Sequence, residues 1–379
     1  MNELRERVRA FAERAAPLVE AQPDEGAAAR KALELLAGEG LLAVTVPAPN
    51  GDAGTVSVRA LCAVRRELAY RSGMLDVMFV MQGLGSFALA LGGSPRQREE
   101  LPRIGRGELV AAFALTEPGA GSDLSAIATR ATRTVGGWRI EGRKTFISNA
   151  PIADRVTLLA RTAGEPGDSE GLSMFLVPGD ARGLGREGFE VMAPHPIGDL
   201  VLEGVDLPPE ALVGEEGRGL DLALATLARF RTSVAAAACG FAARALDESA
   251  RHLSRREQFG HSLAKFQGLR FELAEMDTRL RAAELLVEEA ARRVDRGDPA
   301  RAAVARAKLF ATETASWICD RAVQHLGGRG VRRGEVVERL FREARALRIY
   351  EGTSEVQKLI LAKELLARRA KERPRDDPG

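Results

Sequence analysis

FALTEPGAGSD (residues 113–123) stands where the character of the chain changes. Before it, to about residue 110, runs such as ARKALELLAGEG and VRALCAVRRELAY carry apolar residues at helical spacing, separated by the turn-rich PAPNGDAG. After it, from about 111 to 215, RVTLLART, LSMFLVPG and LVLEGVDLP are short apolar runs bounded by Gly, Pro and Asp, the pattern of strands. GGWRIEGRKTFIS (136–148) reads as a hairpin edge followed by another strand. Helical periodicity returns from about 216 to 368, as in LRFELAEMDTRLRAAELLVEEAARRV, and the charged tail 369–379 with its two prolines is expected to be disordered. The chain thus reads as multidomain α and β, with an N-terminal all-helical domain (1–110), a central β domain (111–215) and a C-terminal helical domain (216–368). Two seams between these layers are where a ligand is expected.

At 379 residues, with 45% apolar and 28% charged residues, the chain has the composition of an ordinary globular protein with a large core. A net charge of +2, with acids and bases interleaved, and only two Tyr and two Trp argue against nucleic acid as a partner. Cys62, Cys239 and Cys319 are an odd count without a CxxC or a nearby His, so neither a disulfide framework nor a metal site is expected, and a reducing cytoplasm fits. The amphipathic N-terminus, with Leu4, Val8, Phe11 and Ala15 on one face, contains Glu3, Glu6 and Glu13 and reads as a packed helix rather than a transit peptide. Residues 74–93 approach membrane-spanning length, but Asp76, Gln82 and Ser86 interrupt them, which favours a buried helix.

Four stretches carry candidate chemistry. In 113–123, Gly119, Ala120 and Gly121 allow close backbone approach, and Thr116 and Ser122 add hydroxyls; without the Walker lysine or a GxGxxG, spacing alone favours an ordinary glycine turn. KTFISNAPIAD (144–154) places Phe146 and Ser148 on one face of a strand, where a flat ligand could stack and hydrogen-bond, or where an aromatic could simply fill the core. SRREQFGHSLAKFQ (254–267) brings Arg256, Phe259 and Gln267 to a helix-loop-helix junction suited to a pyrophosphate and a purine, or to solvent. QHLGGRG (324–330) could be a helix stop or a backbone contact for a ligand. In RALRIYEGTSEVQ (345–357), Thr353 and Ser354 are good helix N-caps, so Glu351 is either an acid at a helix start or a group that does chemistry.

Taken in order, TEP-x-AGSD, the aromatic-Ile-Ser-Asn strand, R-x-x-F-G, F-Q, Q-x-x-GG and YEGT resemble the flavin-dependent acyl-CoA dehydrogenases over residues 1 to about 368. The resemblance implies that family's fold, an N-terminal helical domain, a central β-barrel-like domain and a C-terminal four-helix bundle, with FAD between the last two. It implies that Glu351 removes the α-proton of an acyl-CoA while the β-hydrogen leaves as hydride to flavin N5, giving a trans-2-enoyl-CoA. An α-proton of a thioester is too weakly acidic for a carboxylate in water, so such a reaction needs a desolvated base and a stabilised enolate. By the same resemblance, Phe113, Leu115, Thr116, Gly121, Ser122, Phe146, Ile147 and Ser148 meet the flavin. Arg256, Gln258, Phe259, Gln267, Gln324, Gly327 and Gly328 would meet a neighbouring subunit's FAD, and Thr353 and Glu355 complete the cofactor set. Ser122, Arg231, Tyr350 and Gly352 border the acyl-CoA. The family's usual state, a homotetramer, and its usual acceptor, an electron-transfer flavoprotein, follow as expectations.

Some relatives place the base on an earlier helix, but Ala228, Arg229 and Phe230 offer no acid there, which leaves Glu351. Phe146 replaces a frequent Trp, Ala228 replaces an Asp that many members use to hold the pantetheine, and PHPIGDLVLEGVDLP (194–208) is shorter than the usual segment. His195, in that segment, is expected to be structural rather than catalytic. The alternatives are an oxidase, a dehydrogenase of a carrier-protein thioester, or a flavin-binding homologue without turnover.

Overall fold

The computed structural model describes residues 1–48, 50 and 56–372. Most of the PAPNGDAG turn and the chain after residue 372 lie outside the described residues. The protein divides into two compact units, Met1–Phe230 and the chain from Arg231 onward.

The first unit opens with α1 (Asn2–Glu20), α2 (Glu25–Gly38), α3 (Val58–Arg71) and α4 (Gly73–Gly92). Each of the last three starts at a side-chain cap: Asp24 accepts from the Ala27 amide, Ser57 from Ala60 and Ser72 from Leu75. Short helices α5 (Pro95–Arg98), begun by a Ser94–Gln97 capping box, and α6 (Glu100–Gly105) lead to the sheet. The strands are β1 (Ala111–Ala114), β2 (Arg130–Thr134), β3 (Gly137–Ser148), β4 (Arg155–Arg161), β5 (Leu172–Pro178), β6 (Leu184–Gly188), β7 (Ile197–Leu207) and β8 (Leu212–Val213). They form one sheet in the order β6-β7-β3-β2-β4-β5-β8, with β1 parallel to β4.

GGWRIEGRKTFIS does start at a hairpin, with Thr134 of β2 opposite Gly137 of β3, but from Gly137 on it is one long strand and not an edge followed by a second strand. It stays continuous by absorbing register shifts against β7 between Ile140 and Gly142 and between Lys144 and Ile147. Gly142, at φ +146, makes the first possible, because a Cβ there would lie 2.5 Å from the Thr129 hydroxyl.

Helix α4 is long and apolar enough to cross a membrane, but 83% of its apolar window is buried inside the protein. It is the core helix of this unit, and its Val80 and Phe87 share one buried cluster with Leu36 of α2 and Leu68 of α3. Its contact with the sheet is set by Gly85, where a Cβ would stand 2.7 Å from the Ala111 Cβ and 2.8 Å from the Ala112 nitrogen. Gln82 completes that seam as a strand would, donating to the Leu109 carbonyl at 2.8 Å and accepting from the Ala111 amide at 2.9 Å. Thr157 of β4 donates to the Gly85 carbonyl at 2.6 Å.

Helix α7 (Gly219–Arg255) begins in the first unit and continues into the second. There it is followed by a hairpin of β9 (Glu257–Gln258) and β10 (His261–Ser262), then α8 (Gln267–Arg296), α9 (Arg301–Leu326), α10 (Val336–Ala346) and α11 (Ser354–Glu372). The apolar stripe Met276, Leu280, Ala283, Val287 and Ala290 of α8 is buried at the spacing of a helix face. The expected helix-loop-helix junction at 254–267 thus contains a small antiparallel hairpin, since Gly260 at φ +83 supports a tight turn after Phe259. The expected disordered tail starts too early, because α11 runs to Glu372. Its last turns are built from Ala, Leu, Arg, Lys and Glu, all good helix formers, and the first breaker in the sequence is Pro374.

The α4–β1 seam makes a specific demand. Gly85→Ala should destabilise the chain by about 1–3 kcal/mol through overpacking, whereas Gly38→Ala, where a Cβ meets nothing within 4 Å, should be neutral or slightly stabilising. Urea midpoints of the two variants check this; equal midpoints would mean the helix and sheet are not held at backbone distance.

Candidate functional site

Four non-glycine residues among the described ones have positive φ: Phe146 (54°), Asn149 (67°), Phe259 (53°) and Glu351 (52°). A bulky side chain is seldom found there, since its Cβ crowds the backbone, and such positions concentrate at functional sites. All four lie in the motifs, and Phe146, Phe259 and Glu351 are candidate site residues.

In the first unit, Phe146 sits in the irregular stretch of β3 and does not enter the core: it is 62% exposed, with Phe189 in a T-shaped contact at 5.2 Å between ring centroids. Ile147 beside it is buried, and Ser148 is half-buried. The Ser148 hydroxyl lies 3.0 Å from His195 Nε2, and His195 Nδ1 lies 2.8 Å from the Ala193 carbonyl. Leu115 is buried, Phe113 and Thr116 are half-buried, and Gly121 and Ser122 are exposed. Backbone bonds between Glu117 and Ala120 close the turn, and a Cβ at Gly119 or Gly121 would meet nothing within 4 Å, so the loop presents open backbone.

Glu117 is what holds this loop to the sheet, a role the motif alone did not reveal. Its carboxylate accepts from the Ala128 amide at 2.8 Å, the Thr129 amide at 3.0 Å and Lys144 Nζ at 2.7 Å. Burial pushes the carboxyl up, but Lys144 and these donors outweigh it and hold Glu117 below the ordinary carboxylate range.

In the second unit, Glu351 precedes α11, whose N-cap is Thr353, accepting from the Val356 amide. Glu351 is therefore two residues outside the cap. Gly352, at φ +92, suits the backbone that L side chains rarely adopt, and a Cβ there would also press on the Gln357 side-chain amide at 2.6 Å. Two cations pin the successive carbonyls of this turn: Arg231 Nε donates to the Glu351 oxygen at 2.8 Å and Lys308 Nζ to the Gly352 oxygen at 2.7 Å. Ser354 donates to Glu313 at 2.6 Å, and Arg348 pairs with the same carboxylate at 2.8 Å. Tyr350 and Glu355 are exposed.

Lys308 was not foreseen, although its place in the stripe Val304, Lys308, Ala311, Ala315 marks a lysine on a buried helix face. Burial lowers its ammonium to about 8, against the pull of Glu351. Burial also lowers the Arg231 guanidinium, again opposed by Glu351.

Arg256 and Gly328 come together in a cavity of ≈ 520 Å³ with His252, Arg255, Leu326 and Arg329. His252 is held below its ordinary value by burial and by the positive charge of Arg329 and Arg256, so the cavity favours an anion. A Cβ at Gly327 or Gly328 would meet nothing within 4 Å. Gln324, Gln267 and Gln258 are exposed, and Phe259 is 87% exposed on the hairpin. These donors, bare glycines and open aromatics fit a large planar ligand that carries phosphates.

Lys308 gives a pH signature. The folded chain releases its proton near 8 and the unfolded chain near 10.5, so the unfolded state binds more protons between these values and stability gains from Lys308 as pH rises through that window. Lys308→Met should make the rise in urea midpoint between pH 8 and 10 shallower than in the parent; parallel curves would place the lysine in solvent.

Three family models cover almost the whole chain: the acyl-CoA dehydrogenase N-terminal domain over residues 1–108, the middle domain over 112–205 and the C-terminal domain over 217–366. The chain is 37% identical to the 3-(aryl)acrylate reductase of Clostridium sporogenes over 96% of its length and 97% of that protein's. It is 35% identical to the cyclohexane-1-carbonyl-CoA dehydrogenase of Geobacter metallireducens, covering 93% and 94% of the two chains. The butyryl-CoA dehydrogenase structure from Megasphaera elsdenii matches with a TM-score of 0.88 and 30% identity, over 96% of this chain and 97% of that one. With helices at both ends and a sheet between them, and with its motifs in the family's order, the chain belongs to the FAD-dependent acyl-CoA dehydrogenases.

Proposed function

We propose that Glu351 is the base of an acyl-CoA α,β-dehydrogenation that yields a trans-2-enoyl-CoA. The observation that carries this assignment is its backbone: Glu351 is held at positive φ, outside the helix cap, with its own carbonyl fixed by Arg231 and that of Gly352 by Lys308. A helix-start acid needs none of that, because Thr353 already caps α11. Pinning two peptide planes removes rotational freedom from the base, and the flanking cations keep a negative charge favourable beside them. When bound, the flavin supplies the hydride acceptor for the β-hydrogen. In this reading Phe146 offers its exposed face to the isoalloxazine, Ser148 a hydroxyl, and the 116–122 turn its open backbone. Arg231, occupied by the Glu351 carbonyl, serves the base rather than the pantetheine, in keeping with Ala228 standing where many members have Asp.

Relatives named for aryl and cyclohexane substrates support including cyclic and aryl-bearing thioesters when the acyl group is sought. An electron-transfer flavoprotein is the proposed acceptor and the cytoplasm the proposed compartment, where the three buried cysteines would stay reduced. A homo-oligomer is supported by large apolar side chains exposed on the second unit, among them Phe271 (63%), Leu359 (70%) and Leu366 (68%), and the proposed state is the family's tetramer.

Glu351→Gln should keep FAD and acyl-CoA binding while anaerobic flavin bleaching slows by roughly 10²–10⁴-fold. A mere helix-start acid would instead cost about 0.3–1 kcal/mol of stability and leave bleaching intact. Arg256→Ala should weaken FAD retention and oligomer stability together, because a ligand shared at an interface stabilises the assembly by mass action. A fully flavinated monomer, by ultracentrifugation and absorbance, would refute the shared site.

A further inference from the structure

The segment that departs from the family pattern, PHPIGDL, delivers His195 to the end of β3. Ile197 is the register partner of Ser148, and the Pro196 carbonyl accepts from the Asn149 amide at 2.7 Å, so His195 is anchored beside the serine by backbone bonds. Its flanking prolines, Pro194 and Pro196, restrict the chain on both sides.

The ring's two contacts fix its tautomer. A carbonyl oxygen only accepts, so the 2.8 Å contact to Ala193 requires the proton on Nδ1. In the neutral ring Nε2 then carries a bare lone pair, and the Ser148 hydroxyl 3.0 Å away is the donor. Burial lowers the His195 imidazole and outweighs the opposing pull of the Ala193 carbonyl, which keeps the ring neutral near pH 7.

We infer that His195 is a positioning residue that holds the hydroxyl proton of Ser148 and so turns the serine oxygen outward as a hydrogen-bond acceptor. Ser148 is thereby selective for a ligand atom that donates. This inference rests on the reading that Ser148 faces the flavin. The N5 atom of an isoalloxazine is a bare acceptor when oxidised and an N–H donor when reduced. An acceptor-committed Ser148 therefore binds the reduced cofactor better by one hydrogen bond, and to meet the oxidised N5 it must give up His195. The departure in 194–208 thus tunes the redox balance of the site without touching the reacting carbons.

The test compares His195→Phe, which keeps a ring but removes the acceptor, with His195→Gln, whose amide oxygen takes the same hydrogen bond. The flavin midpoint potential of the holoenzyme should fall in His195→Phe by about 30 mV for a two-electron couple, a tenfold shift in the reduced-to-oxidised ratio, and return in His195→Gln. Histidine-selective ¹⁵N NMR of the parent, which has four histidines, should show the His195 Nε2 as unprotonated. A protonated Nε2, or an unshifted potential in His195→Phe while Ser148→Ala does shift it, overturns the inference. If Ser148→Ala changes neither the flavin absorption nor the potential, Ser148 does not face the flavin, and that underlying reading falls together with the inference.

Discussion

Gly85 and Gln82 bring a helix backbone and a strand backbone into direct contact, and the first unit is organised around that approach. An exposed edge of β1 would leave the Leu109 carbonyl and the Ala111 amide without partners in a buried place, at a cost of about 1–3 kcal/mol per group. Gln82 answers both with one side-chain amide. The helix can offer it only because Gly85, one turn on, lets α4 settle on the strand. The strand fixed in this way leads directly into Leu115, Thr116 and Glu117, so the seam also sets the root of the glycine turn. From there Glu117 and Lys144 tie the turn to β3, the strand that ends in Phe146 and Ser148.

Strain and charge share the work at the candidate site. The positive φ of Phe146 follows a bulge in β3, and that of Phe259 belongs to a hairpin too short to have its own core. Neither ring recovers much packing inside the chain. Glu351 differs, since its turn is held by the half-buried Arg231 and the buried Lys308, cations whose own burial is unfavourable. Each is offset by a carbonyl and by the carboxylate itself, which couples the geometry of the turn to its charge. A chain that kept only the helix cap at Thr353 would need neither cation.

Positive charge and exposed apolar surface occur together in the second unit. The Arg255, Arg256 and Arg329 cavity gathers positive charge around the bare Gly328, while α8 and α11 of the same unit expose Phe271, Leu359 and Leu366. Charge of one sign in a concave site calls for an anion, and exposed apolar side chains call for a partner surface. Both features are legible as properties of one chain.

The sequence by itself determined the succession of helical, strand and helical regions, because periods of 3.6 and 2 are local properties of side-chain spacing. It also determined the ordered motifs that fix the family, and that resemblance made Glu351 the proposed base, with no acid at Ala228, Arg229 or Phe230. Only the tertiary structure decided that GGWRIEGRKTFIS is one bulged strand, since bulges depend on the register of β7, residues away in sequence. The helix reaching Glu372 was legible in principle from composition, but charge and proline weighed toward a tail. Lys308, Glu117 and the His195–Ser148 bond were out of reach for a different reason. Their partners lie 44, 27 and 47 positions away, and a hydrogen bond between such residues is set by the packing of whole elements, not by spacing along the chain.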